Sequence, residues 1–173
     1  MSLHTFTKMD EGQLNSMGYE RLRKELEQNI SSNAPFIQLA GVWVATIRGP
    51  PSSCYDGYVF DLEISVPPDY PISPPSMRFL TKIFHPNVYF KTGEICIDIL
   101  KKDWTPAWSL QSACRAIMSI LSDPNADSPL NCDAGNMLRS GDVLSFESMC
   151  VLYCREFATA LPPHLALKSE HEE

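Results

Sequence analysis

The spacing of apolar residues near the start of the chain predicts an amphipathic helix. It begins at Asn15 or Ser16, either of which can cap a first turn. Its apolar face consists of Met17, Leu22, Leu26 and Ile30. Its other face carries three basic side chains, those of Arg21, Arg23 and Lys24. From the pattern alone, this basic face is equally consistent with a solvated surface and with a docking site.

A period of two replaces the helical period after residue 36. Alternation of this kind predicts strands, and it holds in two runs. The positions on one face are Trp43, Ala45 and Ile47 in the first run and Phe60, Leu62 and Ile64 in the second. A third short run, 77–80, follows a proline-rich loop. Because only short turns separate these runs, they predict an antiparallel meander.

The helical period returns after residue 108. One stripe, which Asp123-Pro124 ends, consists of Leu110, Ala113, Cys114, Ile117, Ile120 and Leu121. A short segment near 131–139 follows, and a last helix is predicted from Asp142 to about Leu161. Its inward residues are Phe146, Cys150, Tyr153, Cys154 and Phe157. One helix, then strands, then a run of helices is the order of an α+β domain.

The chain has 173 residues and a net charge of -7, from 14 basic and 21 acidic side chains. This length fits one domain, predicted at 13–163, with a flexible lead-in at 1–12 and a polar tail at 164–173. An acidic chain without a long basic run is a poor match for nucleic acid, so no nucleic-acid partner is expected. Since no segment has the roughly 20 apolar residues of a membrane helix or the pattern of a signal peptide, we expect a cytoplasmic protein without direct membrane insertion.

Six cysteines are spread through the chain, and no two have Cys-x-x-Cys spacing. In a reducing compartment we expect free thiols, most of them buried. Cys150 and Cys154 can share a helix face, and His164 and His171 follow in the polar tail. Two cysteines do not complete a four-ligand site, so we expect no metal.

The stretch 83–108 matches neither period, yet its two tryptophans and several aliphatic residues favour an ordered loop. Its one thiol, Cys96, could be a nucleophile with His85 as base and Asn87 orienting the histidine, as in thiol proteases, or an inert buried thiol. Because a single proline separates the imidazole from the amide, these two groups are poorly placed to face each other. Gly93, predicted as a hinge, and polar neighbours favour a Cys96 that is more exposed than the four cysteines on the helices.

The same stretch resembles the active-site signature of the ubiquitin-conjugating enzymes. The matching residues are His85-Pro86-Asn87, then Cys96 after a gap of eight, Ile97-Asp98-Ile99-Leu100 and Trp104-Thr105-Pro106-Ala107. The resemblance extends from the first helix to Ser128-Pro129-Leu130, nearly the whole domain. It implies that family's fold, which has an N-terminal helix, a four-stranded antiparallel meander sheet and C-terminal helices.

The resemblance also implies an activity. Cys96 would receive ubiquitin as a thioester from the ubiquitin-activating enzyme and pass it to an acceptor nucleophile. The activating enzyme uses ATP upstream, and no cofactor bound to this chain is implied.

Roles for the neighbours of Cys96 follow from the same resemblance. The Asn87 amide would hold the loop or stabilise the oxyanion as the acceptor attacks. His85 and Pro86 would be structural residues of the active site. Asp98 and Ser128 would lie near the approaching acceptor, and many members of the family have Asp at the position of Ser128.

The family's docking surface, carried over by position, falls on three segments. They contain Ile72, then Thr105, Pro106 and Ala107, and the basic helix face of Arg21, Arg23 and Lys24. Ligase and activating enzyme use the same helix face in the family, so their binding should be competitive. An exposed aliphatic residue with no partner is the alternative interpretation of Ile72.

Four runs, 79–88, 110–112, 114–117 and 127–143, are most similar to the peroxisomal branch of the family. That similarity implies RING-type peroxisomal ligases, a membrane-anchored peroxin partner and, as substrate, an import receptor for matrix proteins. The receptor would be modified by a single ubiquitin on cysteine for export and recycling. The enzyme would be peripheral on the cytosolic face of the peroxisomal membrane.

Three alternatives remain open at this point. The chain could be a general cytosolic ubiquitin-conjugating enzyme that acts on lysines, or a conjugating enzyme for another ubiquitin-like modifier. It could also be a non-catalytic ubiquitin-binding module that merely retains Cys96.

Overall fold

The structure is a computed structural model that describes residues 16–30, 36–39 and 42–161. The predicted lead-in 1–12 and tail 164–173 lie outside the described residues. The helices are α1 (Ser16–Ile30), α2 (Leu110–Ser122), α3 (Cys132–Arg139) and α4 (Val143–Phe157). The strands are β1 (Phe36–Leu39), β2 (Val42–Arg48), β3 (Tyr58–Ser65), β4 (Ser76–Phe79) and β5 (Thr159–Ala160). In the described part of the chain, no helix is long and apolar enough to cross a membrane.

Strands β1 to β4 form the predicted antiparallel meander, paired in chain order. Trp43 lies opposite Ile64, and Leu62 lies opposite Phe79. The alternating positions of the central strands are buried as the pattern predicts: Trp43, Ala45, Ile47, Phe60, Leu62 and Ile64. The α+β fold with a four-stranded antiparallel sheet is therefore confirmed.

Helix α2 buries its apolar stripe in the same core. The stripe's buried members are Leu110, Ala113, Cys114, Ile117 and Leu121, and Ile120 is partly buried. Ser109 caps the helix, because its Oγ accepts from the Ser112 N–H while Ser112 Oγ accepts from the Ser109 N–H at 2.8 Å. The sequence pattern thus places α2 correctly in both type and orientation.

The apolar face of α1 differs from the prediction at Met17, which is 73% exposed. The buried positions are Gly18, Leu22 and Glu25. This spacing sets the inward direction of the helix, and Met17 is five residues from Leu22, or about 140° away around the axis. The side chains of Leu26 and Ile30 lie outside the described residues.

The last helix ends four residues earlier than predicted, at Phe157, which is exposed rather than inward, and Tyr153 is only partly buried. Ala158 is extended, and β5 pairs antiparallel with the start of β3. The Leu161 N–H then donates to the Gly57 carbonyl at 2.8 Å. Backbone hydrogen bonds to the sheet therefore replace the last helical turn, and a fifth short strand pairs with β3 outside the order of the meander.

A buried carboxylate joins α1 to two other segments. Glu25 is 6% exposed, and its Oε1 pairs with Arg21 and accepts from the Tyr70 hydroxyl at 2.9 Å. Its Oε2 accepts from the Leu110 N–H at 2.8 Å, at the positive end of the α2 dipole. Burial and this carboxylate raise the pKa of Tyr70, which keeps the phenol a donor.

Replacing Glu25 by Ala should destabilise the fold. The substitution leaves the Tyr70 hydroxyl and the Leu110 N–H without their acceptor, so we expect a loss of roughly 3 kcal/mol in the free energy of unfolding, measured with urea. Glu20→Ala is the matched control on the same helix, because Glu20 is exposed and its ion pair within the described residues is with the exposed Arg23 at 3.0 Å. Its loss should stay below about 1 kcal/mol. Equal losses in the two variants would contradict a special role for Glu25.

Candidate active site

Backbone hydrogen bonds position the predicted nucleophile. Cys96 follows a tight turn at 89–94, and its N–H donates to the Asn87 carbonyl at 2.9 Å. Val88 and Ile95 form an isolated antiparallel bridge just before it. The thiol is half-buried. Its exposure lies between the two predictions from the sequence, an exposed nucleophile and an inert buried thiol.

Gly93 is a packed turn residue rather than a hinge. Its φ is +76°, in the left-handed region, and a Cβ there would lie 2.0 Å from the Phe79 carbonyl oxygen. Its carbonyl accepts from the Phe79 N–H at 2.8 Å, which joins the turn to β4. The position requires glycine because the backbones approach so closely.

His85 is fully buried, and both of its ring nitrogens form hydrogen bonds with backbone groups. Its Nε2 lies 2.9 Å from the Ile120 carbonyl, and its Nδ1 accepts from the Asn87 N–H at 3.0 Å. A carbonyl only accepts and an N–H only donates, so the ring is neutral with its proton on Nε2. Burial lowers the pKa of His85 to about 4. With both nitrogens occupied, the imidazole is not a base for Cys96, and the thiol-protease arrangement is wrong.

The loop 123–131 is held against the active-site stretch by Pro86 and Asn87. Asn87 Nδ2 donates to the Asn125 carbonyl at 2.8 Å, and its Oδ1 accepts from the Asn125 N–H at 2.9 Å. The Pro86 carbonyl accepts from the N–H groups of Leu130 at 2.8 Å and Asn131 at 3.0 Å. The Asn87 amide therefore has a structural function. One of the two hydrogens on its nitrogen is donated to the Asn125 carbonyl.

Two predicted acceptor-side residues flank this arrangement. Ser128 is exposed on the loop that Asn87 and Pro86 hold. Asp98 is exposed at the start of a short 3-10 helix, Asp98–Leu100, and pairs with Lys102 at 3.1 Å. The other lysine of the turn, Lys101, has its Nζ 3.4 Å from Cys96 Sγ.

The three predicted docking segments lie side by side. Arg21 Nη2 donates to the Trp108 carbonyl at 3.3 Å, and Trp104 Nε1 donates to the Pro71 carbonyl at 2.9 Å. These bonds hold α1 beside the loop 104–108, and that loop beside the proline-rich loop. Ile72 is 68% exposed between them. The other predicted docking residues that are exposed are Arg23, Lys24, Thr105, Pro106 and Ala107.

Arg21 differs from the other basic residues of α1. Its guanidinium is half-buried and paired with Glu25, which raises the pKa of Arg21. Its main contacts are therefore within the fold, while Lys24 and Arg23, which pairs with Glu20 at 3.0 Å, are exposed.

The six cysteines are all free thiols, and three of them, Cys114, Cys150 and Cys154, are buried. Cys132 is exposed, which contradicts the expectation that the helical cysteines would be less exposed than Cys96. It lies in the first turn of α3, on the face away from buried Ala134 and Gly135. Within the described residues, no three His, Cys, Asp or Glu side chains are grouped as metal ligands. His164 and His171 lie outside that part of the chain.

Sequence reasoning gave no role to three residues that matter here: Asn125, Lys101 and Glu25. Asn125 contributes its backbone, which no side-chain pattern identifies. Lys101 and Lys102 are chemically identical neighbours, so only the path of the turn decides which one faces the sulfur.

The buried His85 should make stability depend on pH. Its pKa is about 4 when folded and about 6.5 when unfolded, so between these values the unfolded chain binds the extra proton and stability falls as the pH falls. We expect wild type to lose roughly 2 to 3 kcal/mol more than His85→Gln between pH 7.5 and 4.5, because one pKa unit corresponds to about 1.4 kcal/mol. Urea unfolding of both proteins at both pH values measures this difference. Parallel losses would contradict it.

Comparison with known proteins agrees with the geometry. The family model described as ubiquitin-conjugating enzyme matches residues 16–153. Protein PEROXIN-4 of Arabidopsis thaliana is 63% identical over 113 residues, which span 65% of this chain and 72% of that protein. Ubiquitin-conjugating enzyme E2 pex4 of Dictyostelium discoideum is 57% identical over 113 residues, spanning 65% of this chain and 76% of the relative.

A solved structure is similar over most of the domain. It is the H. polymorpha ubiquitin-conjugating enzyme Pex4p in complex with the soluble domain of Pex22p. The TM-score is 0.78 at 32% identity, and the match covers 83% of this chain and all of that one. The chain therefore belongs to the ubiquitin-conjugating enzyme family, in which it is a homologue of the peroxin-4 proteins.

Proposed function

We propose that this enzyme carries ubiquitin as a thioester on Cys96 and, with a RING-type ligase, transfers it to an import receptor for peroxisomal matrix proteins. The observation that carries the catalytic part is the half-buried Cys96 thiol, held by its own backbone beside the loop that Asn87 fixes. A nucleophile in a rigid, partly open setting is pre-oriented for attack and accessible to a large partner.

The charging step moves ubiquitin from one thiol to another. The Cys96 thiol gives its proton to solvent, the thiolate attacks the ubiquitin carbonyl carbon, and the activating enzyme's sulfur leaves with the electron pair as a thiolate. Because the buried, neutral His85 is held by the Ile120 carbonyl and the Asn87 N–H, its imidazole takes no part in this step. Transfer then relies on positioning and on donors that stabilise the oxyanion, for which the Asn87 amide is the proposed group.

The acceptor reaches the thioester past Asp98 and Ser128 in this proposal. Asp98 is already paired with Lys102, and Ser128 is a neutral hydroxyl. Neither residue is then a free carboxylate beside the incoming nucleophile. An acceptor cysteine reacts as a thiolate near neutral pH and needs less help from a base than a lysine does, so we propose a cysteine acceptor.

The peroxisomal part of the proposal rests on similarity to the peroxin-4 proteins. The Pex4p relative was solved with the soluble domain of Pex22p, and we propose that this chain binds a comparable membrane-anchored peroxin. Such a partner would hold the enzyme at the cytosolic face of the peroxisomal membrane.

Ligase and activating enzyme would compete for one surface. The exposed Ile72, the 105–107 tip and the basic residues Arg23 and Lys24 form a continuous face, since hydrogen bonds tie their three segments together. An apolar tip on a rigid loop is a pre-formed anchor for a partner. Discharged enzyme would therefore leave its ligase before it is recharged.

The first test is charging. With ubiquitin, activating enzyme and ATP, wild type should form an adduct on a non-reducing gel that thiol reductant removes. Cys96→Ala should form none, and Cys96→Ser should form a reductant-stable oxyester. Cys132→Ala is the matched control, because Cys132 is the more exposed thiol and should leave charging unchanged.

Each rival function gives a different result in the same reaction. A binding module forms no adduct with a charged activating enzyme, and an enzyme for another modifier is charged only by that modifier's activating enzyme. For the acceptor, charged enzyme is mixed with free cysteine or free lysine. Faster discharge onto lysine would favour a general lysine-directed enzyme over the peroxisomal receptor proposal.

Asn87→Ala should separate charging from discharge. Charging should stay within about twofold of wild type, while discharge onto free cysteine should slow by about 100-fold if the amide stabilises the oxyanion. Asn125→Ala is the control, because it removes the side chain that accepts from the Asp127 N–H at 2.8 Å and loosens the loop without removing the Asn87 amide. Equal slowing in the two variants would leave Asn87 only its loop-holding role.

A further inference from the structure

We propose that Lys101 is a catalytic residue, whose ammonium group stabilises the negative charge on Cys96 Sγ when the thioester forms and when it breaks. The contact that carries this proposal is the 3.4 Å separation of Lys101 Nζ and Cys96 Sγ. It rests on the proposed function of Cys96 and adds a residue to it.

The turn that carries Lys101 is fixed at its base. The Asp98 carbonyl accepts from the N–H groups of Lys101 at 2.9 Å and Asp103 at 3.0 Å, which closes the turn after the 3-10 helix. Ile99 and Leu100 are buried beneath it, and Trp104, which follows, is buried and bonded to the Pro71 carbonyl. The lysine stem therefore starts from a constant position, although its tip is exposed.

The neighbouring lysine is used differently. Lys102 Nζ pairs with the Asp98 carboxylate at 3.1 Å, and this pairing raises the pKa of Lys102. Asp98 therefore has its own cation, and the ammonium of Lys101 contacts the sulfur. Two adjacent lysines thus face two different anions, one permanent and one formed only during reaction.

Negative charge lies on the Cys96 sulfur at the start of charging and at the end of discharge. In charging, the Cys96 thiol gives its proton to solvent, the resulting thiolate donates an electron pair to the ubiquitin carbonyl carbon, and the activating enzyme's sulfur departs as a thiolate. In discharge, the acceptor attacks that carbon and the C–S bond breaks, so the electron pair returns to Cys96 Sγ. A cation at hydrogen-bond distance stabilises this thiolate in each case, and its effect is largest where water is displaced by the bound partner.

The test compares Lys101→Met, Lys101→Arg and Lys102→Met in a Cys132→Ala background. The first readout is alkylation of Cys96 by iodoacetamide at pH 7.5 and low salt, followed by mass spectrometry, and the second is ubiquitin discharge onto free cysteine. Lys101→Met should slow both by about three- to tenfold, since a tenfold change corresponds to about 1.4 kcal/mol. Lys101→Arg should restore most of the rate, and Lys102→Met should change it less than twofold.

The dependence of the alkylation rate on ionic strength distinguishes an electrostatic role of Lys101 from a purely structural one. Raising the ionic strength should slow alkylation of wild type toward the rate of Lys101→Met, because screening weakens an exposed charge pair, and should leave Lys101→Met unchanged. Equal effects of Lys101→Met and Lys102→Met, or a rate insensitive to both, would overturn the proposal. Failure of wild type to accept ubiquitin, with the alkylation effect intact, would instead sink the proposed function of Cys96 and keep the contact.

Discussion

The buried Glu25 carboxylate is the interaction on which the arrangement of the other segments depends. It joins α1, the loop that carries Tyr70 and the first turn of α2 through three donors: the Arg21 guanidinium, the Tyr70 hydroxyl and the Leu110 N–H. An ionised carboxylate is costly to bury, and only such a set of donors offsets that cost. These segments carry the residues of the proposed docking face, so one buried acid helps to hold that face together.

Helix α2 connects Glu25 to the segment that contains His85 and Asn87. Its first N–H binds Glu25, and near its other end the Ile120 carbonyl binds the imidazole of His85. The helix has 13 residues and spans about 20 Å. One rigid helix therefore links the segments of the proposed docking face to His85. His85 in turn accepts from the N–H of Asn87, the residue that holds the loop 123–131.

The candidate active site around Cys96 is held together mainly by hydrogen bonds to backbone groups. His85, Pro86 and Asn87 use their polar atoms to hold the main chain of Ile120, of the loop 123–131 and of Cys96. The side chains of this site that reach solvent are those of Cys96, Lys101, Ser128 and Asp98, the last in an ion pair with Lys102. This division explains how a site with little acid or base chemistry can still hold a nucleophile in a defined position.

The sequence by itself determined the periodicity of its hydrophobic residues and therefore its main helices and strands. Alternation in β2 and β3 and the stripe of α2 each specify one buried face, and a core forms only where such faces meet. The signature around Cys96 likewise identified the candidate nucleophile and its family. Tertiary structure decided what depends on distant partners: the early end of α4 at the edge of β3, the inward face of α1 away from Met17, and the exposure of Cys132. It also decided that Lys101 and not Lys102 meets the sulfur, because identical side chains carry no information about which way a turn will point them.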